Sequence, residues 1–313
     1  MPLPRLPEIT RVSPERAQRA RRWRRRLGAV GEGSFYALEK VGVSPIALFD
    51  RLSKLREPKG ARKIADGVAY GDHRRQRLDI FRPVRRGSAP LPVVVFFYGG
   101  GWVKGERAEF GFVGRALARA GFVAVLPDYR LAPEGRFPTF VEDGAAALAW
   151  VTQHIEELGG DPERVAIAGH SAGGHLAALL ALDPRYLEAH GLPRDTIKAA
   201  GLISAPTNFL PLTDPRALAA LGHHEAAHEH QPITHVRGDA PPMLLQHGTA
   251  DIVVRARNSQ QLGRKLFDRG ADVRLLLYRG ARHSDPIKAF SPLFAGLPVP
   301  EDLIAFLHRR LAN

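Results

Sequence analysis

Gly169-His170-Ser171-Ala172-Gly173 joins an apolar run, Arg164-Val165-Ala166-Ile167-Ala168, to a helix-forming run, His175-Leu176-Ala177-Ala178-Leu179-Leu180-Ala181-Leu182. A serine flanked by glycines two positions away on a strand-to-helix turn is the arrangement of a nucleophile elbow. The turn is so tight that only small residues fit at 169 and 173, and it lifts the serine hydroxyl clear of the sheet. At the helix N-terminus, backbone N–H groups face any anion that develops there. This residue set fits nucleophilic attack on a carbonyl. In another context the same five residues would be a plain small-residue turn; the strand before and the Ala/Leu helix after separate the two.

Upstream, Pro92-Val93-Val94-Val95-Phe96-Phe97 is followed by Tyr98-Gly99-Gly100-Gly101-Trp102. Glycines after a buried strand let the backbone approach a substrate without Cβ interference. Their N–H groups, with that of Ala172, can converge on an oxyanion. Downstream, Asp251 follows Pro242-Met243-Leu244-Leu245-Gln246-His247, and His283 follows Ala271-Asp272-Val273-Arg274-Leu275-Leu276-Leu277-Tyr278. Alone, Asp251 reads equally well as a helix N-cap and His283 as a loop histidine. In the order serine, acid, histidine, each past the end of a strand, they fit a triad of Ser171, Asp251 and His283.

The elements that must position these groups alternate from Asp66 onward as strand and helix. Arg77-Leu78-Asp79-Ile80-Phe81-Arg82 is an early strand, Phe122-Val123-Ala124-Val125-Leu126 a central one, and Ala199-Ala200-Gly201-Leu202-Ile203-Ser204 follows the nucleophile. Residues 205–240, rich in Pro, His and Ala, break the alternation and read as an insertion between strands. Residues up to about 60 read as helical: a basic helix from Arg11 to Arg26, opened by Ser13-Pro14-Glu15, and a second around Phe35 to Leu55.

With these pieces in place the chain resembles the α/β-hydrolase esterases near the hormone-sensitive-lipase and small carboxylesterase branch. The resemblance rests on Tyr98 to Trp102, Pro127-Asp128-Tyr129-Arg130-Leu131-Ala132-Pro133, Arg136-Phe137-Pro138, Asp143-Gly144, Gly160-Asp161-Pro162, Gly169 to Gly173, His247-Gly248 with Asp251, and Gly280 with His283. The lipase branch usually opens its glycine loop with histidine; Tyr98 stands there, as in the Tyr-Gly-Gly-Gly-aromatic loops of cholinesterase-type carboxylesterases. The resemblance implies an α/β fold, with a mostly parallel eight-stranded sheet flanked by helices. It also implies a cap built from the N-terminal segment (1–65) and the 205–240 insertion on a catalytic domain spanning 66–313. It implies hydrolysis of carboxylic esters through an acyl-enzyme, a small-molecule ester substrate, and no cofactor; short- to medium-chain esters are expected because neither cap segment holds a long, strongly apolar helix that could open as a lipid-docking lid. It selects Gly100 and Gly101, with Ala172, as oxyanion donors; the residues themselves leave Gly99 open. Asp128 and Arg130 are expected to hold the glycine loop, and Trp102 and Phe137 to line the entrance. An amide or formamide hydrolase of the kynurenine-formamidase kind shares the same first chemical step. A non-catalytic binding relative would share the fold.

Composition agrees with an enzyme of this size. The 313 residues are 44% hydrophobic and contain no cysteine, which excludes disulfides, a thiolate nucleophile and a Cys-based metal site. No apolar run approaches the roughly 18 residues of a membrane span. Arg21-Arg22-Trp23-Arg24-Arg25-Arg26 resembles a twin-arginine signal, but Gly28 to Ser34 is too short and polar for the segment that must follow. The expectation is a cytoplasmic protein. The net charge of +13 is concentrated in part between Arg11 and Arg26. No nucleic-acid-binding motif accompanies it, so no nucleic-acid partner is expected. A solvated helix is the first reading and weak contact with an anionic membrane the second. The oligomeric state stays open, a homodimer included. His224-Glu225-Ala226-Ala227-His228 matches the zincin pattern, yet Gln231 and Thr234 stand where the extended motif needs Gly and His. These are read as exposed histidines of the insertion, with no metal site.

Overall fold

The computed structural model describes residues 45–312 except 86 and 295. The chain begins there with helix α1 (Pro45–Arg56) and enters the sheet with β1 (Ala61–Ala69) and β2 (Arg77–Pro83). Then come β3 (Leu91–Phe97), α2 (Gly111–Arg119), β4 (Val123–Pro127), α3 (Thr139–His154), β5 (Gly160–His170) and α4 (Ala172–Leu182). A short α5 (Arg185–Glu188) leads to β6 (Ile197–Ile203), α6 (Pro215–Leu221), β7 (Met243–Gly248), α7 (Arg257–Asp268), β8 (Val273–Tyr278), α8 (Asp285–Lys288) and α9 (Val299–Arg310).

The eight strands form one sheet in the order β1-β2-β4-β3-β5-β6-β7-β8. β2 runs antiparallel to both β1 and β4; from β4 to β8 every pairing is parallel. The sequence shows why. Strands covered on both faces read as unbroken apolar runs, and Val93 to Phe97, Val123 to Leu126 and Val165 to Ala168 are all fully buried. Helix α4 lies under the centre of the sheet with all eleven residues buried. Its Ala, Gly and Leu side chains suit a helix packed on every side.

The sheet starts earlier than the sequence indicated. β1 begins at Ala61, inside the segment assigned to the N-terminal region, not beyond Asp66. It is an edge strand with half-exposed residues throughout, so Arg62 and Lys63 interrupt the apolar alternation that would mark a strand. The expected second helix is present as α1; its proposed start at Phe35 and the basic helix from Arg11 to Arg26 lie outside the described residues. Between β6 and β7, the 205–240 stretch holds α6 and a single 3₁₀ turn at Pro232–His235. Asp214 caps α6, its carboxylate accepting from Arg216 N–H at 2.8 Å, with Pro215 in the first helical position.

Candidate active site

Parallel strands place their C-terminal ends on one edge of the sheet, and all candidate groups emerge there. Ser171 follows β5 directly, at φ +55° and ψ −121°. A non-glycine residue held in that region carries about 1–3 kcal/mol of strain. Crowding imposes it. A Cβ on Gly169 would come within 2.3 Å of the Gly173 carbonyl oxygen, and one on Gly173 within 2.2 Å of the Phe97 oxygen. The Ser171 N–H donates to Ile203 O at 2.9 Å, which fixes the turn to β6.

The structure brings Ser171, His283 and Asp251 together. Ser171 Oγ–H donates to His283 Nε2 at 2.8 Å, and His283 Nδ1–H donates to Asp251 Oδ2 at 2.8 Å. Asp251 is held from behind, its Oδ1 accepting from Val253 N–H at 3.0 Å and Val254 N–H at 2.8 Å. Burial pushes its carboxyl up, but hydrogen bonds from His247 and His283 and that from the Val254 amide outweigh this. The group is held well below the usual carboxylate range. An ionised carboxylate so placed can fix the tautomer of a neighbouring histidine and stabilise its imidazolium form.

Two further histidines support this arrangement, and neither was read from the sequence as part of the site. His170 donates from Nε2 to the His283 carbonyl oxygen at 3.1 Å. Burial, then the neighbouring His283, push His170 down to about 3, so it stays neutral at ordinary pH. His247 is fully buried at the end of β7, with Nε2 2.8 Å from Val254 O and 3.3 Å from Asp251 Oδ2. Its Nδ1 accepts from Ser259 Oγ–H at 2.7 Å. Only its position in His247-Gly248 ahead of Asp251 marked it beforehand.

The glycine loop lies against the nucleophile. A Cβ on Gly99 would touch His170 and sit 3.0 Å from Ser171 Cβ; one on Gly100 would strike Lys104 O at 1.9 Å. Gly101 and Trp102 both have left-handed backbone, φ +63° and +62°. The N–H groups of Gly100 and Gly101 donate to no backbone acceptor among the described residues. That of Ala172, first in α4, has no intrahelical partner.

Beneath the loop lies a buried polar network. Tyr98, fully buried, accepts from Arg75 Nη2 at 2.7 Å and donates to Asp128 Oδ1 at 2.8 Å. Burial, then the charge of Asp128, push the Tyr98 phenol well above its ordinary value, so it remains a donor. Asp128 also accepts from the backbone N–H of Arg107 at 2.7 Å and pairs with its guanidinium. Tyr129 Oη–H caps the Tyr98 carbonyl at 2.8 Å. Asp128 thus holds the loop as expected. Arg130 does something else: it makes a bidentate pair with buried Asp143 at 2.6–3.0 Å, tying its loop to α3.

A cavity of about 590 Å³ opens over Ser171 and His283, walled by Gly99 to Trp102, Ile46, Phe49, Phe209 and Leu210 among others. Trp102 is among its lining residues. Phe137 is not: it is buried behind the wall, edge-on to His224 and His230, because its backbone N–H is tied to Ala220 O at 2.9 Å. Residues 224–228 lie outside any helix, so the two histidines are not presented one helical turn apart. Among the described residues no three His, Asp or Glu side chains come together as metal ligands. Of the two histidines expected to be exposed, His228 is and His224 is half-buried; nearby His230 is fully buried, against Phe137 and Phe209.

A serine on an elbow, a histidine and an acid behind it, and a glycine loop alongside define the site layout of an α/β-hydrolase esterase. The BD-FAE family model matches residues 78–266, and the chain belongs to that family of α/β-hydrolase esterases. It is similar to Esterase LipC of Mycobacterium tuberculosis, 34% identical over 217 residues, covering 64% of this chain and 54% of that protein. It is also similar to a probable isoprenylcysteine alpha-carbonyl methylesterase, ICMEL1, of Oryza sativa subsp. japonica. That match is 31% identical over 269 residues, covering 79% of this chain and 63% of the relative. The chain spans about half to two-thirds of the length of the curated relatives it matches. Among solved structures, the thermostable carboxylesterase EstE1 from a metagenomic library superposes with a TM-score of 0.71 at 26% identity, over 86% of this chain and 96% of that one. No described helix is long and apolar enough to cross a membrane.

Proposed function

We propose that the protein is a carboxylesterase that cleaves short- to medium-chain carboxylic esters through an acyl-enzyme on Ser171. The observation that carries this is the unbroken relay from Ser171 Oγ to His283 to Asp251, with 2.8 Å at each step. Ser171 Oγ attacks the ester carbonyl carbon while its proton passes to His283 Nε2. The carbonyl oxygen becomes an oxyanion facing the Gly100, Gly101 and Ala172 N–H groups, where one such donor is worth about 3 kcal/mol in the transition state. Collapse of the tetrahedral intermediate expels the alkoxide, which takes the proton from His283. Water, activated by the same imidazole, then attacks the acyl-serine and releases the acid. Family membership and the esterase names of the relatives support the same reading.

In this reading α1 and the 205–240 insertion act as the cap. Ile46 and Phe49 of the first, and Phe209, Leu210 and Leu212 of the second, close over the serine. A closed acyl pocket gains about 0.8 kcal/mol per buried CH₂ until it is full. A series of para-nitrophenyl esters should therefore show kcat/KM rising from C2, peaking at or before C8, and falling beyond. Higher kcat/KM on C12 to C16 than on C4, with activation above the solubility limit, would overturn the chain-length reading.

Activity should also survive exhaustive chelation, because every proton in the proposed relay moves between side chains and substrate. Loss of activity in phenanthroline with recovery on adding zinc would reinstate the His224 and His228 pair as a functional site.

A further inference from the structure

The cavity wall is largely apolar but also carries cationic side chains. Arg216, Arg255, Arg257 and Lys288 line it, with a single carboxylate, Asp214, among them. That carboxylate is committed: it accepts from Arg216 Nε at 3.0 Å and Nη2 at 2.6 Å. The Arg216 stem lies on the glycine loop, since a Cβ at Gly101 would come within 2.9 Å of Arg216 Cδ. Lys288 stands 5.6 Å from the centre of the Phe294 ring. Arg255 and Arg257 are exposed, just past Asp251, and neither makes an ion pair to a described residue. Charges beyond a Debye length of about 8 Å are screened, so these lining groups, more than the chain's overall charge, set the field felt by a bound molecule. An apolar wall beside Arg255 and Arg257, which make no ion pair among the described residues, suits a ligand with a hydrocarbon body and a negative end.

We propose that the site takes esters bearing a second, ionised carboxylate, whose charge lies against Arg255 and Arg257. This rests on the esterase reading above and adds the substrate class. The bond cleaved is the same; the free carboxylate takes no part in the chemistry and orients the ester.

The test uses two matched pairs. Mono-para-nitrophenyl adipate against para-nitrophenyl hexanoate places the charge on the acyl side, on a chain long enough that the carboxylate does not attack its own ester. The butyrate ester of para-hydroxybenzoate against that of para-cresol places it on the alcohol side. In at least one pair the anionic member should have the higher kcat/KM, by about tenfold or more at low salt, with the ratio shrinking as salt is raised. The doubly substituted Arg255→Gln/Arg257→Gln protein should bring that ratio to about one. Arg264→Gln, which removes the same kind of charge from the exposed face of α7, should keep it. Ratios at or below one in both pairs, or a ratio that the double substitution leaves in place, would overturn the proposal. If none of the four esters is hydrolysed, the esterase reading has failed on its own. Calorimetric titration of Ser171→Ala with the same esters then reads recognition alone: tighter binding of an anionic member supports the proposal, and equal binding refutes it.

Discussion

Ser171→Ala is expected to lower kcat by about 10⁴- to 10⁶-fold, because the members of such a relay act as a unit and little is left when the nucleophile is gone. The substitution is nearly silent for the fold. Alanine keeps the Cβ and meets the same backbone, φ +55°, that serine already tolerates. The only described side-chain hydrogen bond lost is the one to His283. The thermal midpoint should therefore move by no more than a few degrees. Steady-state rates on para-nitrophenyl butyrate, with a fluorophosphonate label to report the serine independently, measure both halves. More than about a tenth of wild-type activity in the purified variant would mean that another residue is the nucleophile.

The second large effect is expected at the acid. Asp251→Asn should reduce kcat by about 10⁴-fold, since an amide in this position favours the wrong tautomer of the histidine. The surroundings sharpen the expectation. Asp251 accepts from two backbone N–H groups on Oδ1 and from His283 on Oδ2. An Asn amide has one oxygen. If it faces Val253 and Val254, its NH₂ meets the Nδ1–H of His283; if it is turned, the NH₂ meets the two backbone donors. Stability should follow with a defined pH dependence. The folded carboxyl is held below its unfolded value, so its contribution is present in full above about pH 4, the ordinary titration range, and is lost as pH falls through the folded value. The Tm gap between wild type and Asp251→Asn should be widest near neutral pH and narrow on acidification. A gap that widened toward acid would contradict this linkage.

Much of the site was legible because its signals are local or ordinal. The elbow is five consecutive residues, the glycine loop another five, and Asp251 and His283 follow strands in the only order that a serine-first hydrolase allows. What sequence could not supply are contacts between groups far apart in the chain. His170 holds the carbonyl of a residue 113 positions away. Arg75 reaches Tyr98, and Arg107 reaches Asp79 and Asp128, by folding back across the sheet. None of these pairings has a period or a spacing. Phe137 was misplaced for a related reason: an aromatic near the entrance in the chain need not face the cavity, and the tether to Ala220 turns it inward. The strand Ala61–Ala69 was partly missed because an edge position relaxes the apolar pattern by which strands are recognised.

The site also draws its members from unequal parts of the sheet. Ser171 and the glycine loop leave β5 and β3, each flanked by strands on both sides; His283 follows β8, which has only β7 beside it. Peripheral elements open at lower free energy than the centre. On mild warming or in low denaturant, His283 should therefore part from Ser171 before the centre of the sheet opens. The species that accumulates first should keep a native interior and regain the pairing when the border strand closes again. Loss of activity should then precede the loss of the near-ultraviolet circular dichroism signal, and its early part should reverse on cooling.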